Sequence, residues 1–115
     1  MRGLMRRKTL PMKLPIDSFI APEKLTHYLL VFTEQNDKSK FLEKGGYSIE
    51  NWEALEVDIR ELLKNEATFQ KVDTFGEYFV IVGELSNGLK VKTIWLREAG
   101  LEIFRFITLI PMTKF

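Results

Sequence analysis

Few side chains in this sequence have types and spacings suited to chemistry. His27, the single histidine, follows Lys24 by one helical turn. A lysine there would lower the imidazole pKa by like-charge repulsion and suit the histidine to general acid or base work. The plainer alternative is a half-exposed surface histidine. Thr93, Trp95, Arg97 and Arg105 form a second group. Arginine beside a hydroxyl and an aromatic ring can hold a phosphate and stack a base. The alternative is a tryptophan packed in the core with arginines reaching out at the sheet edge. Lys38 and Lys40 precede a Gly-Gly turn, and Lys90 and Lys92 sit on one strand face. Each lysine pair is either a phosphate contact or solvated surface.

Other chemistries are excluded by composition. The chain has no cysteine, hence no thiolate nucleophile, disulfide framework or cysteine-based metal centre. One histidine also rules out a multi-histidine site, and Asp17 and Asp73 have no metal-ligand spacing. No Walker loop, GxGxxG, GxSxG or HExxH occurs, so neither a cofactor nor a metal is expected. At 115 residues, 45% apolar and 29% charged, the chain suits one globular domain and not a two-lobed cofactor enzyme.

The net charge of +1 is unevenly spread. Arg2, Arg6, Arg7, Lys8 and Lys13 stand without an acid, marking residues 1–13 as a basic, flexible tail. Its sharper alternative is an arm for nucleic acid or a membrane surface. Residues 14–115 form the domain, with seven bases against fourteen acids up to Leu85 and a mildly basic remainder. Pro11 and Pro15 interrupt any signal-peptide core, and no apolar run nears the roughly 20 residues of a membrane span. A cytoplasmic protein is expected.

The elements that must position these residues follow from periodicity. Pro22 starts a helix with the stripe Leu25, Tyr28, Leu29 and Phe32. Lys38 to Lys44 forms a short second helix ended by Gly45-Gly46. Ser48 caps a third, running to Lys64, that buries Trp52, Leu55, Ile59, Leu62 and Leu63. Its outer face carries Glu50, Glu53, Glu56 and Glu61, either solvated or met by a basic partner protein. Strands follow over Thr68–Asp73, Glu77–Leu85, Leu89–Arg97 and Leu101–Ile110, with Asn87-Gly88 as a hairpin turn. Two to three N-terminal helices and a four-stranded antiparallel meander make an α+β domain.

A two-residue loop at Asn87-Gly88 places Val82 opposite Thr93 and Val80 opposite Trp95. A three-residue loop after Arg97 places Trp95 opposite Ile103 and Thr93 opposite Arg105. The polar group would then share one face with Val80 and Val82. A bulge would shift the last strand and break the Thr93–Arg105 pairing. Both faces are apolar, and the helices can cover only one, leaving the other for a ligand or partner.

Several short motifs, in order, resemble a small bacterial domain-of-unknown-function family. They are Leu14-Pro15, Lys24-Leu25 with Tyr28-Leu29-Leu30, Lys38-x-Lys40-Phe41 before Gly46-Tyr47, Trp52-x-x-Leu55, Thr93-x-Trp95 and Thr108-x-x-Pro111. Members of that family look like parts of toxin–antitoxin-like gene pairs beside a short partner protein, and like tips of polymorphic toxins. Their layout is similar to the barnase, RelE and colicin D superfold of small metal-independent ribonucleases. The resemblance implies an RNA-cleaving toxin with a small antitoxin-like protein partner. Lys24 and Lys40 would neutralise the phosphate, Thr93 or Thr108 would hydrogen-bond its oxygens, and Trp95 belongs to the same motifs. Register and helix spacing add Arg105 and His27 to the catalytic set, and Arg97, Lys90 and Lys92 as substrate contacts. The chain departs from the family at Glu34-Gln35-Asn36-Asp37, where a His–Gly turn is usual, and at Ile110, where an aromatic is.

Two readings of function follow. One is a toxin-type ribonuclease in which an RNA 2′-hydroxyl attacks the adjacent phosphate. The other is a non-catalytic, antitoxin- or immunity-like module that holds a protein partner. A near-neutral domain gains little from counterion release, which weighs against non-specific RNA binding. Convergence of Lys24, Lys40, Thr93 and Arg105 on one cleft would favour the nuclease; dispersal would favour the binding module.

Overall fold

The helical half begins where proline can start a helix. Pro22 opens α1 (Pro22–Lys24), where its missing N–H costs nothing. The computed structural model describes residues 12–35 and 37–112, so the basic stretch up to Pro11 lies outside the described residues. α1 widens into a π turn over Leu25–Leu29, closed by the Leu30 N–H donating to the Leu25 carbonyl at 2.9 Å. That extra residue alters the expected stripe. Leu25, Leu29 and Leu30 are buried, but Tyr28 and Phe32 are 64% and 59% exposed.

α2 (Ser39–Lys44) ends at the Gly45-Gly46 turn. A 3₁₀ turn (Ile49–Asn51), α3 (Trp52–Glu61) and a 3₁₀ turn (Leu62–Lys64) together form the expected third helix. Its start is fixed by the Asn51 side chain, which accepts from the Ser48 N–H at 2.7 Å. α3 buries Leu55 and Ile59 and leaves Glu53 and Glu61 exposed. Arg60 donates to the Ile16 and Ser18 carbonyls at 2.8 and 2.9 Å, binding the N-terminal strap to α3.

β1 (Ala67–Asp73), β2 (Gly76–Glu84), β3 (Lys90–Glu98) and β4 (Phe104–Pro111) form one antiparallel sheet in the order 1-2-3-4. The fold is α+β, helices first and meander second. Phe19 extends it by one bridge beyond β4, donating to the Phe104 carbonyl and accepting from the Phe106 N–H, each at 2.8 Å.

Both hairpins differ from the expected register. The first loop has three residues, Ser86–Gly88, closed by the Leu85 N–H donating to the Leu89 carbonyl, with Gly88 at φ +92°. A turn ending in a left-handed glycine accommodates that extra residue. Phe79 and Ile81, not Val80 and Val82, therefore stand opposite Trp95 and Thr93. The second loop takes Ala99–Ile103, and a register shift follows between Ile94 and Trp95. Trp95 faces Phe106, Thr93 faces Leu109, and Arg105 faces Leu96. Thr93 and Arg105 thus lie on opposite sides of the sheet.

The helices cover the face carrying Phe79, Ile81, Val91, Trp95, Phe106 and Leu109. The far face carries Val80, Val82, Lys92, Ile94, Leu96, Arg105, Thr108 and Ile110, as their mutual pairing requires. Gly76 closes the sheet at its tightest point. It has φ +146°, and a Cβ there would sit 2.1 Å from the Arg97 carbonyl oxygen. Gly76→Ala should therefore destabilise the domain by about 2–4 kcal/mol in urea denaturation, combining steric overlap with backbone strain.

Candidate functional site

The expected catalytic set is divided by the fold. Thr93 and Trp95 are both 0% exposed. Thr93 donates to the Ile81 carbonyl at 3.0 Å and accepts from the Trp95 indole N–H at 2.9 Å. The pair satisfies its own polar groups inside the core, which corrects its placement as a substrate contact. Arg97 shares the covered face and pairs with Glu77 at 2.5 Å and Glu102 at 3.7 Å. Lys90 reaches Glu84 at 4.0 Å, an exposed surface pair.

Lys24, His27 and Lys40 belong to the helical half. Lys24 Nζ sits 5.9 Å from the Tyr28 ring centre and Lys40 Nζ 5.1 Å from that of Phe32. His27 is exposed on the π turn. Arg105, Thr108 and Lys92 share the far face. Arg105 lies 3.4 Å from Glu98 and packs over Phe19, and its Nε is buried without a hydrogen-bond partner.

One contact joins the two halves. Lys38 Nζ donates to Thr108 Oγ1 at 2.9 Å across 70 residues of sequence. Burial lowers the Lys38 pKa from its ordinary value. Asp37 fixes the approach of this lysine. Its carboxylate accepts from the Thr33 N–H, the Ser39 N–H and hydroxyl, and the Lys40 N–H. Burial acts to raise the Asp37 pKa, but these donors outweigh it and hold the carboxyl below its usual value.

The motifs that meet here, Lys38-x-Lys40-Phe41 and Thr108-x-x-Pro111, both lie inside residues 16–113, which match the Domain of unknown function DUF6883. The chain belongs to the DUF6883 family. No curated protein and no solved structure matches it.

In this DUF6883 domain the Lys38–Thr108 contact is a place where an anion can be received. The ammonium gives one of its three N–H groups to Thr108, leaving two, and the Thr108 hydroxyl keeps its own proton to donate. Among the described residues no three His, Cys, Asp or Glu side chains are grouped to hold a metal. Asp37 did not stand in the expected set, and Lys38 stood outside the catalytic set, as a candidate phosphate contact with Lys40. The Asp37-x-Ser39 spacing, which suits a side-chain cap, was the local signal for the first.

Beside α2 lies a cavity of about 390 Å³ lined by Phe32, Ser39, Lys40, Glu43, Tyr47, Ser48 and Glu50, among others. Its back wall is tied to the sheet. Tyr47 donates to Asp58 at 2.5 Å, and Ser86 donates to the same oxygen at 2.8 Å. Burial raises the Tyr47 pKa far above 10, helped by the Asp58 bond and charge and opposed by Ser86 and Asn87. The neutral phenol is the folded form. Unfolded tyrosine ionises near pH 10, so above that value the unfolded state loses a proton the native state keeps, and stability falls. Urea denaturation at pH 9 and pH 11 should show this loss, and Tyr47→Phe should remove part of it.

Proposed function

We propose that this domain is a toxin-type, RNA-directed protein of a toxin–antitoxin-like pair, engaging a phosphodiester at Lys38 and Thr108. The observation that carries the reading is the 2.9 Å contact joining two of the motifs on which the family resemblance rests. Arg105 and Lys92 stand on the same face as Thr108 and extend a basic path along β3 and β4. In the metal-independent cleavage that the resemblance implies, the 2′-oxygen bonds to phosphorus as the bond to the 5′-oxygen breaks. The 2′-hydroxyl gives up its proton, and the leaving oxygen takes one. Lys38 and Thr108 would hold the non-bridging oxygens as their charge grows. His27 stays the candidate for proton transfer, as the one imidazole in the chain.

A second reading is favoured by the dispersal of Lys24, Lys40, Thr93 and Arg105 over the helical half, the core and the far side of the sheet, and by the far face itself. Val82 and Ile110 are 50% and 37% exposed there, beside Ile94 and Leu96, which are themselves buried. Such a face suits a small protein partner, either an antitoxin or the target of a non-catalytic module. Inducible expression in bacteria separates the two. Growth arrest with degraded total RNA supports the toxin; normal growth with intact RNA supports the binding module.

A further inference from the structure

We infer that Asn87 is a site of spontaneous covalent modification, ring closure onto the Gly88 nitrogen with loss of ammonia, which the native hairpin holds back and whose completion unfastens the hairpin from the end of α2. The inference is independent of any RNA-directed role. Asn87-Gly88 is the one Asn-Gly pair in the chain; the other asparagines, Asn36, Asn51 and Asn65, precede Asp37, Trp52 and Glu66. Glycine has no side chain to crowd its nitrogen as that nitrogen approaches the asparagine Cγ. Water reaches the pair, because Ser86, Asn87 and Gly88 are all exposed.

The reaction balances with water alone. The Gly88 nitrogen bonds to Asn87 Cγ as the Cγ–Nδ2 bond breaks, and Nδ2 leaves as ammonia with the Gly88 amide proton. Water then opens the cyclic imide at either carbonyl. One opening leaves an aspartate. The other leaves an isoaspartate, in which the main chain runs through Cγ and is longer by that carbon.

Three hydrogen bonds oppose the first step. The Gly88 N–H, whose proton must leave, donates to the Leu85 carbonyl at 2.8 Å. Asn87 Oδ1 accepts from the Leu89 N–H at 3.1 Å, and Asn87 Nδ2 donates to the Gly45 carbonyl at 2.6 Å. Cγ is thus held through both its oxygen and its nitrogen, and attack waits for the loop to open. The bond to Gly45, which ties the hairpin to the turn after α2, is the one that modification removes. A carboxylate at position 87 cannot donate, and the Gly45 carbonyl would face a negative charge. That charge would also stand beside the Tyr47–Asp58 pair, since the Asn87 side chain bears on the Tyr47 hydroxyl.

The test incubates the full chain at mildly alkaline pH, folded and in guanidinium chloride. Peptide mass spectrometry follows aspartate and isoaspartate at position 87, with Asn51 and Asn65 as internal standards. Asn87 should be the asparagine that converts in the unfolded chain. The folded chain should convert it at least about tenfold more slowly, because only the open fraction reacts. In Gly45→Ala an added Cβ would overlap Asn87 Nδ2, and the folded variant should convert about fivefold faster than the folded wild type. Asn87→Asp, the product made directly, should unfold at lower urea than the wild type. Equal rates in the folded and unfolded wild type overturn the protection, and that comparison stands even if Gly45→Ala does not fold. A folded Gly45→Ala that converts at the wild-type rate overturns the role of the Gly45 bond. An Asn87→Asp variant as resistant to urea as the wild type overturns the unfastening. No conversion in the unfolded chain overturns the site.

Discussion

On the proposed ribonuclease reading, Lys38→Met should lower RNA cleavage by about 100-fold and relieve the growth arrest that reading expects of the wild type, the cost of losing one preorganised donor to a developing oxyanion. Methionine keeps the length and apolar stem and removes only the ammonium. Burial already penalises the charge on Lys38, pulling its pKa below 10.5. The charged lysine is thus unfavourable to folding at neutral pH, and the penalty eases as pH rises toward 10.5. The methionine variant should be at least as stable as the wild type at pH 7, so lost activity is not lost fold. Thr108→Val should give a similar loss. The double variant should lose no more than either alone, because the two groups act through one contact. Lys64→Met is the control: its lysine is exposed and pairs with Glu61 on the helix surface, and activity should not change. Equal activity of wild type and Lys38→Met would remove the phosphate contact from the account.

Trp95→Ala should be among the most destabilising substitutions, at about 3–5 kcal/mol. The ring is fully buried and meets Phe106 edge-on at 5.4 Å between centres. Thr93→Val separates packing from hydrogen bonding at the same place. Its shape barely changes, yet the Trp95 indole loses its acceptor and the Ile81 carbonyl loses a donor. Leaving a buried N–H unsatisfied costs about 1–3 kcal/mol. Urea denaturation with tryptophan fluorescence would measure both. A Thr93→Val variant as stable as the wild type would mean that the Thr93–Trp95 bond contributes nothing. A Thr93→Val variant that kept its fold but lost RNA cleavage would return Thr93 to the site.

The order of elements was legible because its signals are local. Pro22 at a helix start, Ser48 before the third helix and Gly88 in the hairpin each report conformations within a few residues. The alternation that puts Thr93 and Trp95 on one face was visible too. Which way that face points was not, because it depends on one residue of loop length. A two- or three-residue loop both end at Gly88, yet the choice moves every β2 side chain to the other side of the sheet. The second loop, longer than expected at Ala99–Ile103, then paired Arg105 with Leu96 and carried it away from Thr93. Tyr28 and Phe32 fell outside the buried stripe because the π turn changes the angle per residue. The Lys38–Thr108 contact spans the whole domain, so no local pattern pairs the two. Their motifs were recognisable separately, and only folding put them in contact.

The most direct measurement is an amide NMR titration of the full chain with a 2′-O-methyl single-stranded RNA. The account predicts chemical-shift changes centred on Lys38, Ser39, Lys40, Arg105 and Thr108, weakening as salt is raised. A spectrum that does not move, or changes confined to the acidic face of α3 from Glu53 to Glu61, would contradict it.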